Sequence, residues 1–283
     1  MLHRTKRAAT VALALALLGL GACSGDEDVA EDDATATTTT AASDAATSTT
    51  AAPDEPLRIL LTNDDGIGAP GIDAVAEALA ALPDVELNVV APAENQSGSA
   101  GKTTPGAPAG VASATASGRA GFAVPGFPAD SVIWALDGGG VAERPHLVVS
   151  GINSGQNIGS FVELSGTVGA ARAAASLGVP ALAASQGFGE PPDFATGVRF
   201  VVEWVSEHRD ALVAGTQPVA VESLNVPTCT AGTVRGLVEV PVAADDAGRD
   251  LLATDCTSTA TDPADDVAAF TTGYVALSDV GLG

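Results

Sequence analysis

From Leu57 to Leu224 the chain alternates short apolar runs with segments of helical periodicity, and this alternation limits the fold more than any other feature. Leu57–Thr62 (LRILLT), Val85–Ala91 (VELNVVA), His146–Ser150 (HLVVS) and Pro180–Ser185 (PALAAS) are too short for helices and carry little polar interruption. Such runs are expected of strands covered on both faces. Between the first two, Ile72, Val75, Ala76, Leu79 and Leu82 recur at helical spacing over Pro70–Leu82. Further helices are predicted over Ala129–Leu136, Thr167–Leu177 and Phe194–Arg209, and later strands over Val219–Leu224 and Val234–Val240. Cys256–Gly283 reads as an irregular C-terminal extension. Strands that alternate with helices build an α/β fold with a mainly parallel sheet, and such sheets bind ligands beyond the carboxyl ends of their strands.

The first residues have a different character. Arg4, Lys6 and Arg7 precede an apolar run from Ala8 to Ala22, which is short for a membrane-spanning helix. The run ends in Leu20-Gly21-Ala22-Cys23, which resembles a bacterial lipobox. Residues 1–22 are therefore expected to be a lipoprotein signal, with Cys23 the lipidated residue and the chain exported and held at the membrane. An ordinary cleaved signal and an uncleaved anchor are the alternatives. Residues 23–56 form an acidic tract rich in Thr and Ala, with no basic residue and almost no large apolar one. It cannot bury enough surface to offset ordering entropy, so it is expected to be a disordered linker to a domain at 57–283. Cys229 and Cys256 remain after it, and in an exported protein they are expected to form a disulfide.

Charge narrows the partners. Asp and Glu number 35 against 12 Lys and Arg, a net charge of −23. A nucleic acid would be repelled. A small anionic substrate is still accommodated where a bound divalent cation reverses the local field.

The polar residues capable of chemistry cluster in loops that follow apolar strands. Asp64 and Asp65 are adjacent after the first strand, and at about 4 Å two carboxylates repel by roughly 1–4 kcal/mol unless a cation lies between them. Asn63-Asp64-Asp65-Gly66 is equally a turn sequence. Asn95-Gln96-Ser97-Gly98-Ser99 offers hydroxyl and amide oxygens, hard donors that suit Mg²⁺, Mn²⁺ or Ca²⁺ better than zinc, although the run is also an ordinary polar loop. Ser150–Asn157 carries Asn153 and Asn157 among glycines that let backbone approach a ligand. Ser165-Gly166-Thr167 opens an Ala-rich helix, where free N–H groups can cradle phosphate or Ser165 can simply cap the helix. His146 and His208 are placed for neither a triad nor a zinc site. No nucleophile elbow is present.

Taken in order, several of these blocks resemble the survival-protein SurE family of nucleotidases. They are Ile59–Gly66 with Ala69–Ile72, Val90–Pro92, Asn95–Gly98, Pro128–Ser131, Val149–Asn153, Ser165–Val168 and Leu224–Pro227. The resemblance implies a Rossmann-like three-layer fold and a metal-dependent phosphomonoesterase for nucleoside 5'- and 3'-monophosphates. It further implies one divalent cation, Mg²⁺ or Mn²⁺ with Ca²⁺ as an alternative, held by Asp64, Asp65, Ser97 and Asn153. Asn157, Ser165, Gly166 and Thr167 would form the phosphate pocket, with Asp64 and Asp65 the catalytic pair and Asp65 favoured to handle the attacking water. A homodimer is implied, whereas the short segment between Val240 and Cys256 weakens the case for a tetramer. Gly68 stands where many members have His, and Phe161 and Leu164 where Asp and Tyr are common. His146 occupies a commonly acidic position and reads as structural. Two other readings remain beside this one: a non-catalytic lipoprotein that binds anionic ligands, and a phosphatase for polyphosphate or phospho-sugars.

Overall fold

The computed structural model describes residues 55–246 and 248–283. The expectations for the signal, for Cys23 and for the linker up to residue 54 lie outside them. Within the described residues no helix is long and apolar enough to cross a membrane.

The strands are β1 (Leu57–Thr62), β2 (Val85–Pro92), β3 (Val111–Ala114), β4 (Ala120–Val124), β5 (Leu147–Ser154), β6 (Ala181–Gln186), β7 (Val221–Val226), β8 (Leu237–Glu239) and β9 (Val275–Asp279). The helices are α1 (Pro70–Ala80), α2 (Pro128–Asp137), α3 (Gly166–Ser176), α4 (Phe194–Val213) and α5 (Asp266–Thr271). All nine strands join one sheet in the order β3-β4-β2-β1-β5-β6-β7-β9-β8. From β4 to β7 every neighbouring pair is parallel, and only β3–β4 and β7–β9 run antiparallel.

The runs without alternation are explained by layers on both faces. Leu57, Ile59 and Leu61 of β1 point into a core roofed by α1 and α4, with Ile72, Val75, Leu79, Phe200, Val201 and Trp204. Leu60 points the other way, into a core under α2 and α3. There the partners are small, Ala170, Ala171 and Ala174 on α3 against Ala181 and Ala183 on β6, so the Ala-rich helix sits close on the sheet. Pro70 opens α1 at a position that needs no backbone donor.

Two sequence expectations change, and one stretch that carried none gains structure. Gly151–Ser154 belongs to β5 and is not a loop, because β6 continues to pair with it up to Ser154↔Gln186. The stretch 111–124 contains a hairpin, β3 and β4, whose strands are half exposed and carry Ala, Ser and Gly where an apolar run would signal a strand. The C-terminal extension is irregular only over its first part: it then forms α5 and β9, and β9 buries Val275, Ala276 and Leu277 against β7.

The chain leaves β1 toward β2 on one side and returns to place β5 on the other. The carboxyl ends of β1 and β5 therefore meet at the point where strand order reverses, the usual ligand crevice of an open parallel sheet.

Candidate functional site

Two cavities open at this crevice. One, of about 390 Å³, is lined by Asp64, Ser97, Asn153, Asn157 and Ser165, with Phe161, Leu164, Phe188 and Leu252 around them. The other, of about 500 Å³, is lined by Asp65, Gly68, Pro70, Asn95 and Phe194. Ser154 belongs to both walls. The adjacent aspartates thus line adjoining cavities. The turn after β1 is held by the Asn63 side-chain amide, which donates to the Gly66 carbonyl at 2.9 Å.

Asp64 is 2% exposed. Its Oδ1 accepts from the Thr167 hydroxyl at 2.7 Å. Burial is the main influence on its carboxyl and pushes the pKa up to about 6; the Thr167 bond opposes this and the charge of Asp65 adds to it. Asp65 is raised as well, by burial first, against hydrogen bonds from the Ser154 backbone N–H at 3.2 Å and the Asn95 amide at 3.1 Å. A cation beside either group would shift it back toward the ionised form.

Gly166 makes room for Asp64. A Cβ there would lie 2.8 Å from Asp64 Cβ, 2.9 Å from its Oδ2 and 2.8 Å from the Ser99 hydroxyl. That hydroxyl is buried and has no partner among the described residues. Gly166 and Thr167 do not line the 390 Å³ cavity; they lie behind Asp64 and set its position. Ser165 does line it and also caps α3, its Oγ accepting from the Val168 N–H at 3.1 Å.

Asn153 reaches the cavity through an irregularity in β5. Between Ser150↔Ala183 and Asn153↔Ser185, three residues of β5 span two of β6. Gly151 sits there at φ +140° with the Ala184 carbonyl against the place of its missing side chain. The Asn153 nitrogen donates to the Gly155 carbonyl at 2.7 Å, so its oxygen is the atom able to coordinate a cation. Ser97 is exposed on its loop, with its N–H on the Asn95 amide oxygen at 3.0 Å. Asn157 is tied from below: its backbone N–H donates to Asn225 Oδ1 at 2.7 Å and its side-chain nitrogen to Ser185 Oγ at 2.8 Å.

Of the predicted site residues, Asp64, Ser97, Asn153, Asn157 and Ser165 share one cavity, Gly166 and Thr167 support it, and Asp65 lines the adjoining one, where it accepts from the Ser154 N–H. Sequence reasoning named Ser99 only within the Asn95–Ser99 run, and gave no role to Ser185, Asn225 or Gln156, whose side-chain nitrogen donates to the Leu251 carbonyl at 2.5 Å. Only the position of Ser185 and Asn225 at the ends of apolar strands could have signalled them. Phe161 and Leu164 both border the cavity. A side chain at Gly68 would meet nothing within 4 Å. The His146 pKa is lowered by burial and by the nearby Arg58; its Nδ1 accepts from the Arg58 backbone N–H at 3.1 Å and its ring packs against the Arg58 guanidinium, a structural role. Cys229 and Cys256 are joined by a disulfide with Cα atoms 5.7 Å apart, within the range for an unforced bridge.

The chain is similar to named proteins over this same region. It is 38% identical over 188 residues to the 5'-nucleotidase SurE of Beijerinckia indica, covering 64% of this chain and 68% of that protein. It is 40% identical over 188 residues to the 5'-nucleotidase SurE of Parvibaculum lavamentivorans, covering 64% of each. The match thus spans about two thirds of the length of these relatives. The crystal structure of the SurE protein from Aquifex aeolicus superposes with a TM-score of 0.62 at 27% identity, over 80% of this chain and 94% of that one. A family model described as Survival protein SurE matches residues 59–246, and on that match the chain belongs to the SurE family.

Proposed function

We propose that the chain is a phosphomonoesterase that removes phosphate from nucleoside 5'-monophosphates, accepts 3'-monophosphates as well, and uses one divalent cation, Mg²⁺ or Mn²⁺ with Ca²⁺ as the alternative. The observation that carries this reading is the cavity at the strand crossover. It holds one buried carboxylate, Asp64, among neutral oxygen donors beside the first turn of α3, and its wall has no lysine or arginine among the described residues.

A phosphate dianion needs positive charge, and the side chains of this wall supply none. The donor set fits a hard cation: Asp64, Asn153 and Ser97 present oxygen, and the unpartnered Ser99 hydroxyl lies close by. When bound, the cation would supply Lewis acidity and make a water more acidic. Thr167 holds the Asp64 carboxylate in one orientation. The Ser165 hydroxyl, which lines the cavity at the start of α3, donates to a phosphoryl oxygen and stabilises its charge as it grows. Asp64 faces the cavity and is the aspartate placed to take the proton of the attacking water. Asp65, favoured for that task by sequence alone, has its oxygens turned to Asn95 and Ser154, and it orients the wall of the site.

The proposal extends to the cell surface, with lipid on Cys23, a linker over 23–56 and a homodimer as the working assembly. The test is phosphate release from a panel of nucleoside monophosphates by the mature protein, titrated with Mn²⁺ or Mg²⁺, alongside Asp64→Asn. Release should require cation, and the variant should lose more than about a hundredfold. Full activity in Asp64→Asn, or undiminished activity in excess chelator, refutes the assignment. Nucleotide binding without release would instead support the non-catalytic reading.

A further inference from the structure

Three of the large apolar side chains most exposed on the described surface, Phe188 at 62%, Leu252 at 62% and Leu164 at 60%, border the same cavity that holds Asp64. They come from three separate segments: the loop after β6, the tethered stretch before Cys256, and the end of the 3-10 segment Gly159–Leu164. Exposed apolar groups scattered singly are ordinary, whereas three converging on one polar pocket mark a binding surface.

Each is held in place by its own backbone. The Phe188 ring lies over Gly155, where φ is +122° and a Cβ would come within 2.5 Å of the ring tip. The Phe188 N–H points to Gln156 Oε1 at 3.4 Å, and the same Gln156 grips the Leu251 carbonyl at 2.5 Å, next to Leu252. The Leu164 carbonyl accepts from the Ala100 N–H at 3.2 Å. Gln156 thus joins two of the three apolar groups from beneath, and the floor between them is polar.

We infer that Phe188, Leu252 and Leu164 form a clamp for the nucleoside part of the substrate, with the base against the Phe188 ring, and that this clamp sets the preference for nucleotides over other phosphomonoesters. The inference rests on the phosphomonoesterase reading above. The occupant follows from continuity and charge. The clamp begins where the phosphate pocket ends, so whatever is esterified to the phosphate must lie along it. A flat, uncharged, partly apolar group gains from that surface by stacking. A second phosphate or a sugar acid meets leucine and phenylalanine, with no cation on the described wall to receive it. Polyphosphate and phospho-sugars are therefore poor substrates.

The experiment compares kcat/KM for adenosine 5'-monophosphate and ribose 5-phosphate, which differ by the base alone, in wild type, Phe188→Ala and Phe188→Leu. Wild type should prefer the nucleotide. Phe188→Ala should lower its kcat/KM by about tenfold, mainly through KM, and affect ribose 5-phosphate less, so that the nucleotide-to-sugar ratio falls. Phe188→Leu, apolar but without a flat face, should fall between. Because the ring is exposed, both variants should fold, which a thermal melt verifies. Equal wild-type activity on the two esters, or a nucleotide-to-sugar ratio that Phe188→Ala does not move, overturns the clamp while leaving the phosphomonoesterase reading intact. An unchanged ratio together with an altered mass by light scattering assigns the patch to a second copy of the chain and also overturns it. Inactivity toward both esters refutes the function itself, and the clamp with it.

Discussion

Gly166→Ala is the sharpest probe of the packing around Asp64. In an ordinary helix the change would be favourable by up to about 1 kcal/mol. Here the added Cβ would lie 2.8 Å from Asp64 Cβ and 2.9 Å from Oδ2, where ordinary carbon contacts begin near about 3.5 Å. One side must give by about 0.7 Å. Gly166 is fixed by the first turn of α3 and by the tight Ala packing beneath it, so the carboxylate is the part that moves. Overpacking of this size costs about 1–3 kcal/mol, which leaves a net loss near about 1 kcal/mol and a Tm lower by about 2–4 °C. A misplacement of 1 Å at a reacting group costs about a hundredfold, so a shift of about 0.7 Å should lower kcat/KM some twentyfold or more. Phosphate release and a thermal melt on the same preparation check both numbers. Activity within about twofold of wild type, with an unchanged Tm, would show that the Asp64 position is not critical to turnover and would refute the reasoning.

Ser97→Ala should be milder than Asp64→Asn, because water can replace a neutral exposed ligand; the half-saturating cation concentration should rise while kcat changes little, and a loss as large as that of Asp64→Asn would contradict this. Cys256→Ser opens a bridge between residues 27 apart and should lower stability by roughly 3–4 kcal/mol in urea unfolding, whereas an unchanged midpoint would mean that the bridge constrains nothing. Cys23→Ala should release the protein from the membrane fraction or block its processing, and wild-type fractionation with lipid would sink the anchor proposal.

Strands buried on both faces were easiest to read. Leu57–Thr62 is continuous in apolar character because α1 and α4 cover one side and α2 and α3 the other, and its boundaries agree with the sequence expectation. The hairpin of β3 and β4 was illegible for the converse reason. It lies at the edge of the sheet with Val111 exposed, and Gly121 fits because it lacks a Cβ, which would crowd the Val89 carbonyl. At the site, residue identity was readable and direction was not. Adjacent Asp64 and Asp65 suggest a shared ligand; Asp64 lines one cavity and Asp65 the adjoining one, with Ser154 in both walls. Ser185 and Asn225 look like routine strand residues until Asn157 is placed above them.

The extra residue in β5 turns the site into a matter of parity. Leu147 and Val149 point toward α1 and α4, and Val148 toward α2 and α3. By strict alternation Ile152 would follow Val148, yet it lies with Leu147 and Val149. The bulge at Gly151 has exchanged odd for even, and Asn153 is thereby carried to the side where Asp64 waits. A single deletion between Ser150 and Asn153 would leave the residues of the site intact in the sequence and turn the asparagine to the other face. In this stretch the spacing of the chain, counted in ones, matters as much as which residues it contains.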